Sequence, residues 1–209
     1  MMSMGVKETM MISAGRIRWA ILLALAEFGI ASTLLAGEPL EVVRVSADRA
    51  IQILKDPKLQ SKEKKKERIE RLKEIVNPLF DYEEMARRSL GPHWRRRTPQ
   101  EQQEFVKLFR NYLENTHADK VDLYAGEKVV YGRETVEDDY AQVETTFISA
   151  KGEGFSVVYR LRRVGGKWKV YDAVVENISI VNNYRSQFDR VISKSSFEEL
   201  KRLLKEKAG

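Results

Sequence analysis

The chain contains no cysteine. Disulfides, thiolate metal sites and a lipid-modified cysteine anchor are therefore excluded, and the core alone must hold the fold together. Histidine is almost as scarce, with His93 and His117 the only two. Neither has a second metal ligand at helix spacing, and Asp119, two residues beyond His117, lies off its face on a helix. No G-x-S-x-G nucleophile elbow occurs. The Gly165-Gly166-Lys167 triplet lacks the spacing of a phosphate-binding loop and sits in hairpin context. Any nucleotide-driven work must then belong to a partner.

Long apolar runs are also missing, with one exception near the start. Arg16 and Arg18 precede an apolar stretch that ends in small residues at Ala36, the layout of a cleavable secretory signal peptide. Glu27 interrupts the stretch, and Leu34 stands where a small residue is usual. An uncleaved anchor is the alternative. It is disfavoured because residues 19–36 barely span a bilayer and Glu27 would be costly at mid-depth. We therefore expect a signal peptide over 1–36, cleavage near Ala36, and one domain over 37–209. Lys7, Arg16 and Arg18 against Glu8 and Glu27 leave one net positive charge in the leader. Of the total formal charge of +6, the mature chain keeps +5.

Charge of one sign is not segregated. Stretches such as "SKEKKKERIERLKE" mix lysine and arginine with glutamate, which marks a solvated helix face, so nucleic acid is not an expected partner. Hydrophobic residues at 43% provide for a sizeable core and argue against disorder.

The remaining chain divides by period. Ala47, Ala50, Ile51 and Leu54 recur at helix spacing until Asp56-Pro57. Ile69, Leu72, Ile75 and Val76 form a second stripe, closed by Asn77-Pro78. Asp81 with Glu84 predicts a capped short helix that "GPHW" breaks. Thr98, Pro99 and Glu101 start a long helix bearing Phe105, Leu108, Phe109, Tyr112 and Leu113.

From about residue 127 the period becomes two. Three strands are expected up to Val164, and Gly165-Gly166 turns the third into a fourth, "KWKVYDAVVENISI". Asn182 or Asn183 is expected to cap the next helix, and Ser196 with Glu199 the last. The fold class is α+β: a four-stranded antiparallel meander covered by helices, with an apolar cavity between the layers.

Strict alternation in the fourth strand puts Asp172 on the apolar face with Trp168, Val170 and Val174. Two readings stay open for it. A general base in an apolar pocket would make the chain a small enzyme. A structural carboxylate would accept hydrogen bonds from backbone N–H groups or from an arginine such as Arg185.

Two stretches carry a resemblance. The first contains Phe80, Met85, Ala86, Leu90, Gly91, Trp94, Gln103, Phe105 and Phe109. The second contains Trp168, Val170, Tyr171, Asp172, Val175, Glu176, Ser179, Tyr184, Arg185, Ser186 and Phe188. Together they resemble the MlaC family of periplasmic phospholipid-binding proteins, over about residues 45–205. Asn177 departs from the pattern, where glycine is expected. Asparagine tolerates positive φ better than most residues.

The resemblance implies a phospholipid carrier, not an enzyme, working as a monomer in the periplasm. It would shuttle lipid between an outer-membrane lipoprotein complex and an inner-membrane ABC transporter with an MCE-domain protein. It implies no cofactor, only lipid as cargo, and a structural Asp172. On that basis the expected acyl-chain walls are Phe105, Phe109, Leu113, Val143, Phe147, Val157, Tyr159, Val170 and Val174. Arg87, Arg88, Arg95, Arg96 and Arg97 are the expected contacts for a head group or a docking partner. A protein-binding module using its basic helices is the further alternative.

Overall fold

The computed structural model describes residues 38–118, 122, 124 and 126–208. The expected signal peptide over 1–36 and Asp119 lie outside the described residues, as does the side chain of His117. The helices are α1 (Glu38–Lys55), α2 (Lys65–Val76), α3 (Tyr82–Leu90), α4 (Pro99–Ala118), α5 (Ile180–Lys194) and α6 (Phe197–Ala208). The strands are β1 (Lys128–Glu137), β2 (Tyr140–Ile148), β3 (Gly154–Val164), β4 (Lys167–Val175) and β5 (Ile178–Ser179). Pro39–Gly209 form one compact unit.

Capping chemistry sets the helix starts. At α4 the Thr98 hydroxyl accepts from the Glu101 N–H at 3.2 Å, and the Glu101 carboxylate accepts from the Thr98 N–H at 2.7 Å, a complete capping box. At α3 only half the box forms. Asp81 accepts from the Glu84 N–H at 3.1 Å, while the Glu84 carboxylate turns to Arg87 and Arg88. Ser196 caps α6 as its sequence predicts. The cap of α5 is Ser179, whose hydroxyl accepts from the Asn182 N–H at 3.1 Å, so this helix begins earlier than Asn182 or Asn183 would place it.

The strands form one antiparallel sheet in sequence order. It has five strands, not four. Glu176 and Asn177 both take positive φ, +46° and +65°, and fold Ile178–Ser179 back on β4 as β5. Asn177, in place of the expected glycine, thus sits in a tight turn. The β3–β4 hairpin turns through Gly165 and Gly166 at φ +55° and +77°, values that glycine adopts without steric cost.

Alternation fails in β1 between Tyr131 and Glu134, and again in β4. Arg160 pairs with Asp172 and Leu161 with Val170, so Tyr171 is an extra residue in β4 and bulges. Beyond it the faces exchange. Trp168 and Val170 point to the inner face beside Leu161. Asp172 and Val174 turn to the outer face, opposite Arg160 and Val158, and Ala173 and Val175 replace them inside. The expectation that Asp172 and Val174 share the face of Trp168 is therefore corrected.

Two apolar cores result. One is helical, built from Met85, Leu90, Phe105, Phe109, Tyr184, Phe188 and neighbours on α3–α6. The other joins the sheet to α1 through Val43, Leu79, Val143, Leu161, Trp168 and Val170. Phe80 packs against both.

Beside it, the Asp81 N–H donates to the Val170 carbonyl at 2.8 Å, and Arg162 donates to Asp81 at 2.6 Å. Arg162 also lies 3.6 Å from Glu84. Burial opposes ionisation of Glu84, but hydrogen bonds from Arg87 and Arg88 and the charge of Arg162 outweigh it. They hold this carboxyl at about 2.

Because that value lies below the ordinary 4.5, the stabilisation is present above about pH 4.5 and is lost as pH falls toward about 2. Urea unfolding across this range is expected to show the loss. Glu84→Gln should lower stability at pH 7 by on the order of 2 kcal/mol and converge with the parent protein near pH 2.

Candidate functional site

The inner face of the sheet is mostly apolar, with Thr145 and Glu134 as polar exceptions, and helices cover it unevenly. At the Leu161–Val170 end it is sealed: Val143, Leu161 and Val170 are fully buried. At the other end Phe147 and Phe155 pair across β2 and β3 and stack, with centroids 5.1 Å apart and planes at 5°. Phe155 remains 42% exposed.

Two apolar clefts open here. The first, about 640 Å³, lies between the sheet and α1–α2 and is lined by Val43, Ala47, Ala50, Ile51 and Leu54 of α1. The second, about 430 Å³, runs toward α4 past Ile69, Met85, Leu113, Val157, Ala173 and Val175. The clefts share Leu72, Val76, Phe80, Phe147, Phe155 and Tyr159 as walls, so they adjoin.

Polar groups stand at the edges of the clefts and are already paired. The Tyr82 hydroxyl donates to Asn77 Oδ1 at 2.8 Å. Lys73 lies 3.1 Å from Glu70 and 3.7 Å from Glu114, and Arg110 donates to Glu114 at 2.7 Å. Burial raises the phenols of Tyr82 and Tyr159 to about 12, so both stay neutral. The second cleft thus combines apolar walls with paired charges at Lys73 and Glu114, while the first is lined mostly by apolar groups together with Ser46, Tyr124 and Glu127.

The residues expected as acyl-chain walls separate into four settings. Phe147 and Tyr159 line both clefts, and Leu113 and Val157 line the second. Phe105 and Phe109 are fully buried in the helical core. Phe105 meets Phe188 edge-on at 5.8 Å, and Phe109 meets Tyr184 at 5.2 Å. Val143 and Val170 belong to the sealed part of the sheet core. Val174 is on the outer face.

Sequence reasoning passed over the contributions of α1 and α2. Their stripes were legible, and the alanines at 47 and 50 were the available signal. Small side chains on an apolar stripe leave space against a facing surface.

The expected arginine contacts also separate. Arg87, Arg88 and Arg95 line a third cleft that shares no lining residue with the other two. Arg97 instead lies over the Phe197 ring at 4.7 Å and 3.5 Å from Glu101, and Arg96 is exposed outside the clefts.

Asp172 is 3% exposed. It accepts from Ser179 Oγ at 2.7 Å, the Val181 N–H at 3.1 Å and Arg160 Nη1 at 3.2 Å. Each oxygen is occupied by a donor from the sheet or the start of α5. Arg160, not Arg185, is its arginine partner. Among the described residues, no group of three or more histidine or acidic side chains is placed to hold a metal ion.

An α+β scaffold with adjoining apolar clefts, paired charges at the rim of one and a fully engaged buried carboxylate belongs to the class of proteins that hold apolar ligands. The MlaC protein family model matches residues 44–206, and the chain belongs to that family. Members of the family are lipid-binding carriers and not enzymes.

The chain is 26% identical over 174 residues to the toluene tolerance protein ttg2D of Pseudomonas putida, covering 82% of this chain and 80% of that protein. It is 22% identical over 128 residues to the intermembrane phospholipid transport system binding protein MlaC of Haemophilus influenzae, covering 59% and 60%. A phospholipid-binding protein from Ralstonia solanacearum, solved in complex with a phospholipid, shares the fold. Its TM-score is 0.70 at 24% identity, over 82% of this chain and 97% of that one.

If Asp172 is structural, Asp172→Asn places an amide N–H against donors and weakens the Arg160 pair. A loss of about 3 kcal/mol is expected in urea unfolding. Lipid content per folded molecule should stay unchanged, which a catalytic or cargo-binding Asp172 would not predict.

Proposed function

We propose that this protein carries phospholipid through the periplasm, with acyl chains in the two adjoining clefts and the head group at the rim near Lys73, Asn77 and Glu114. The observation that carries this reading is the apolar wall around Phe147 and Phe155, left open at one end of an otherwise sealed sheet face. Each methylene moved out of water is worth about 0.8 kcal/mol, so two long chains cost on the order of 20 kcal/mol or more to expose. A carrier must replace that burial without any reaction, and aliphatic and aromatic walls are sufficient for it. A head group left in solvent requires little recognition, which favours tolerance of several phospholipids.

Family membership and the names of the relatives support this reading. In the full scheme, a leader cleaved near Ala36 exports the chain. The monomer then passes lipid between an outer-membrane lipoprotein complex and an inner-membrane ABC transporter with an MCE-domain protein. The lipid is cargo, and no cofactor takes part.

Protein purified from cells, extracted with organic solvent and analysed by mass spectrometry is expected to yield stoichiometric phospholipid. Phe155→Glu places a charge on the shared wall at a position already partly in solvent. Recovered lipid should fall by at least about tenfold with little change in melting temperature. Absence of lipid from the parent protein, together with failure to take it from vesicles, would refute the proposal.

A further inference from the structure

The third cleft, about 680 Å³, is unlike the other two in chemistry. It is lined by five arginines, Arg87, Arg88, Arg95, Arg160 and Arg185, and by one carboxylate, Asp172. Asp172 offsets the charge of Arg160, and Glu84 behind the wall pairs with Arg87 and Arg88, so the guanidinium groups still outnumber the carboxylates that face them.

Two of the arginines have their charge otherwise committed only in part. Arg88 uses Nε on Glu84 and lays its guanidinium over the Tyr171 ring at 4.2 Å. Arg160 uses Nη1 on Asp172. A guanidinium has five N–H donors, so both keep several free.

Arg95 and Arg185 are exposed and form no ion pair among the described residues. Arg185 lies against Gly91, where a Cβ would come 2.8 Å from its Nε. Gly91, at φ +53°, is what allows the guanidinium to lie close to the backbone there. The bulge at Tyr171 and the first turn of α5, at Val181 and Asn182, complete the walls. Several guanidinium groups thus line one concave space, while the N–H groups of Val181 and Asn182 are taken by Asp172 and Ser179.

We propose that this cleft is the docking groove for an acidic peptide segment of a partner protein, whose carboxylates are received by Arg88, Arg95, Arg160 and Arg185. The concavity selects this occupant. A bilayer surface cannot enter a cleft, whereas a chain segment carrying carboxylates can, and planar guanidinium groups match carboxylates bidentately. The groove and the lipid clefts share no lining residue, so the protein can dock while its cargo stays enclosed. The proposal rests on the carrier reading only in requiring a partner, and the two are separable by readout.

Arg95→Ala/Arg185→Ala is the informative variant, because neither side chain holds an ion pair in the folded protein. Fluorescence anisotropy at low salt with a labelled peptide of alternating glutamate and serine is expected to show binding. Binding should weaken at least about tenfold in the double variant and fall with salt, while Arg133→Ala on β1 leaves it unchanged. The glutamine counterpart of the peptide should not bind, and the lipid extracted from the double variant should match the parent.

Absence of acidic-peptide binding, or equal binding by the double variant, would overturn the proposal. So would inorganic phosphate, or vesicles containing phosphatidylglycerol, binding through Arg95 and Arg185 in place of the peptide. Lipid loss in the double variant would make the cleft part of the cargo site and overturn it equally. A parent protein that binds the peptide but carries no lipid would sink the carrier reading and leave the groove standing.

Discussion

Two buried carboxylates on or beside β4 set where the helices can lie. Asp81 ties the start of α3 to the sheet through Arg162, while its own N–H bonds the Val170 carbonyl. Asp172 ties the start of α5 to the same strand through Ser179 and the Val181 N–H. A buried charge is tolerated only where donors surround it, so each carboxylate demands one particular arrangement of neighbours. The helical bundle is thereby held against the β4 side of the sheet and cannot slide over its whole inner face.

The clefts follow from that restraint. With α3–α6 committed largely to a core of their own around Phe105, Phe109 and Phe188, the apolar surface near Phe147 and Phe155 meets only a few of their residues, Met85, Leu113 and Ile180 among them, and otherwise faces α1 and α2. Those helices bring alanines and medium aliphatic side chains, which do not fill the space. Phe80 belongs to both cores and stands at the junction of both clefts, so one aromatic ring links the sealed and open regions. Apolar surface left unfilled in this way is unusual in a close-packed interior and is what a hydrocarbon ligand requires.

The same strand also separates the two kinds of surface. By inserting one residue, the Tyr171 bulge sends Ala173 and Val175 toward the apolar clefts and Asp172 toward the arginines. Without it, Asp172 would point into the apolar region and Ala173 to the outer face. Asp172 is adjacent in sequence to a cleft residue and takes no part in that cleft. Strict alternation made it look like a candidate base on the apolar face, and the bulge turns it to the outer face, where its oxygens accept from Arg160, Ser179 and Val181.

Features set by neighbours in the chain were readable beforehand. The Thr98–Glu101 box, the stop at Asn77-Pro78 and the Gly165-Gly166 hairpin depend on residues a few positions apart. Propensity, capping and period report these directly. The α+β class rested on them, while the family resemblance rested on the matching residues of two stretches.

The number of strands, the facing of Asp172 and Val174, and the division of apolar residues between core and cleft were not readable. A bulge exists only relative to a partner strand. Likewise, Phe105 and Phe147 are equally apolar in sequence, and only the side chains that reach them from distant elements bury one and leave the other beside a cleft. Residue type and period determine that a side chain turns away from water. Whether protein or ligand then meets it depends on the volume that the opposing elements leave unfilled, a property of the assembled layers and not of any segment.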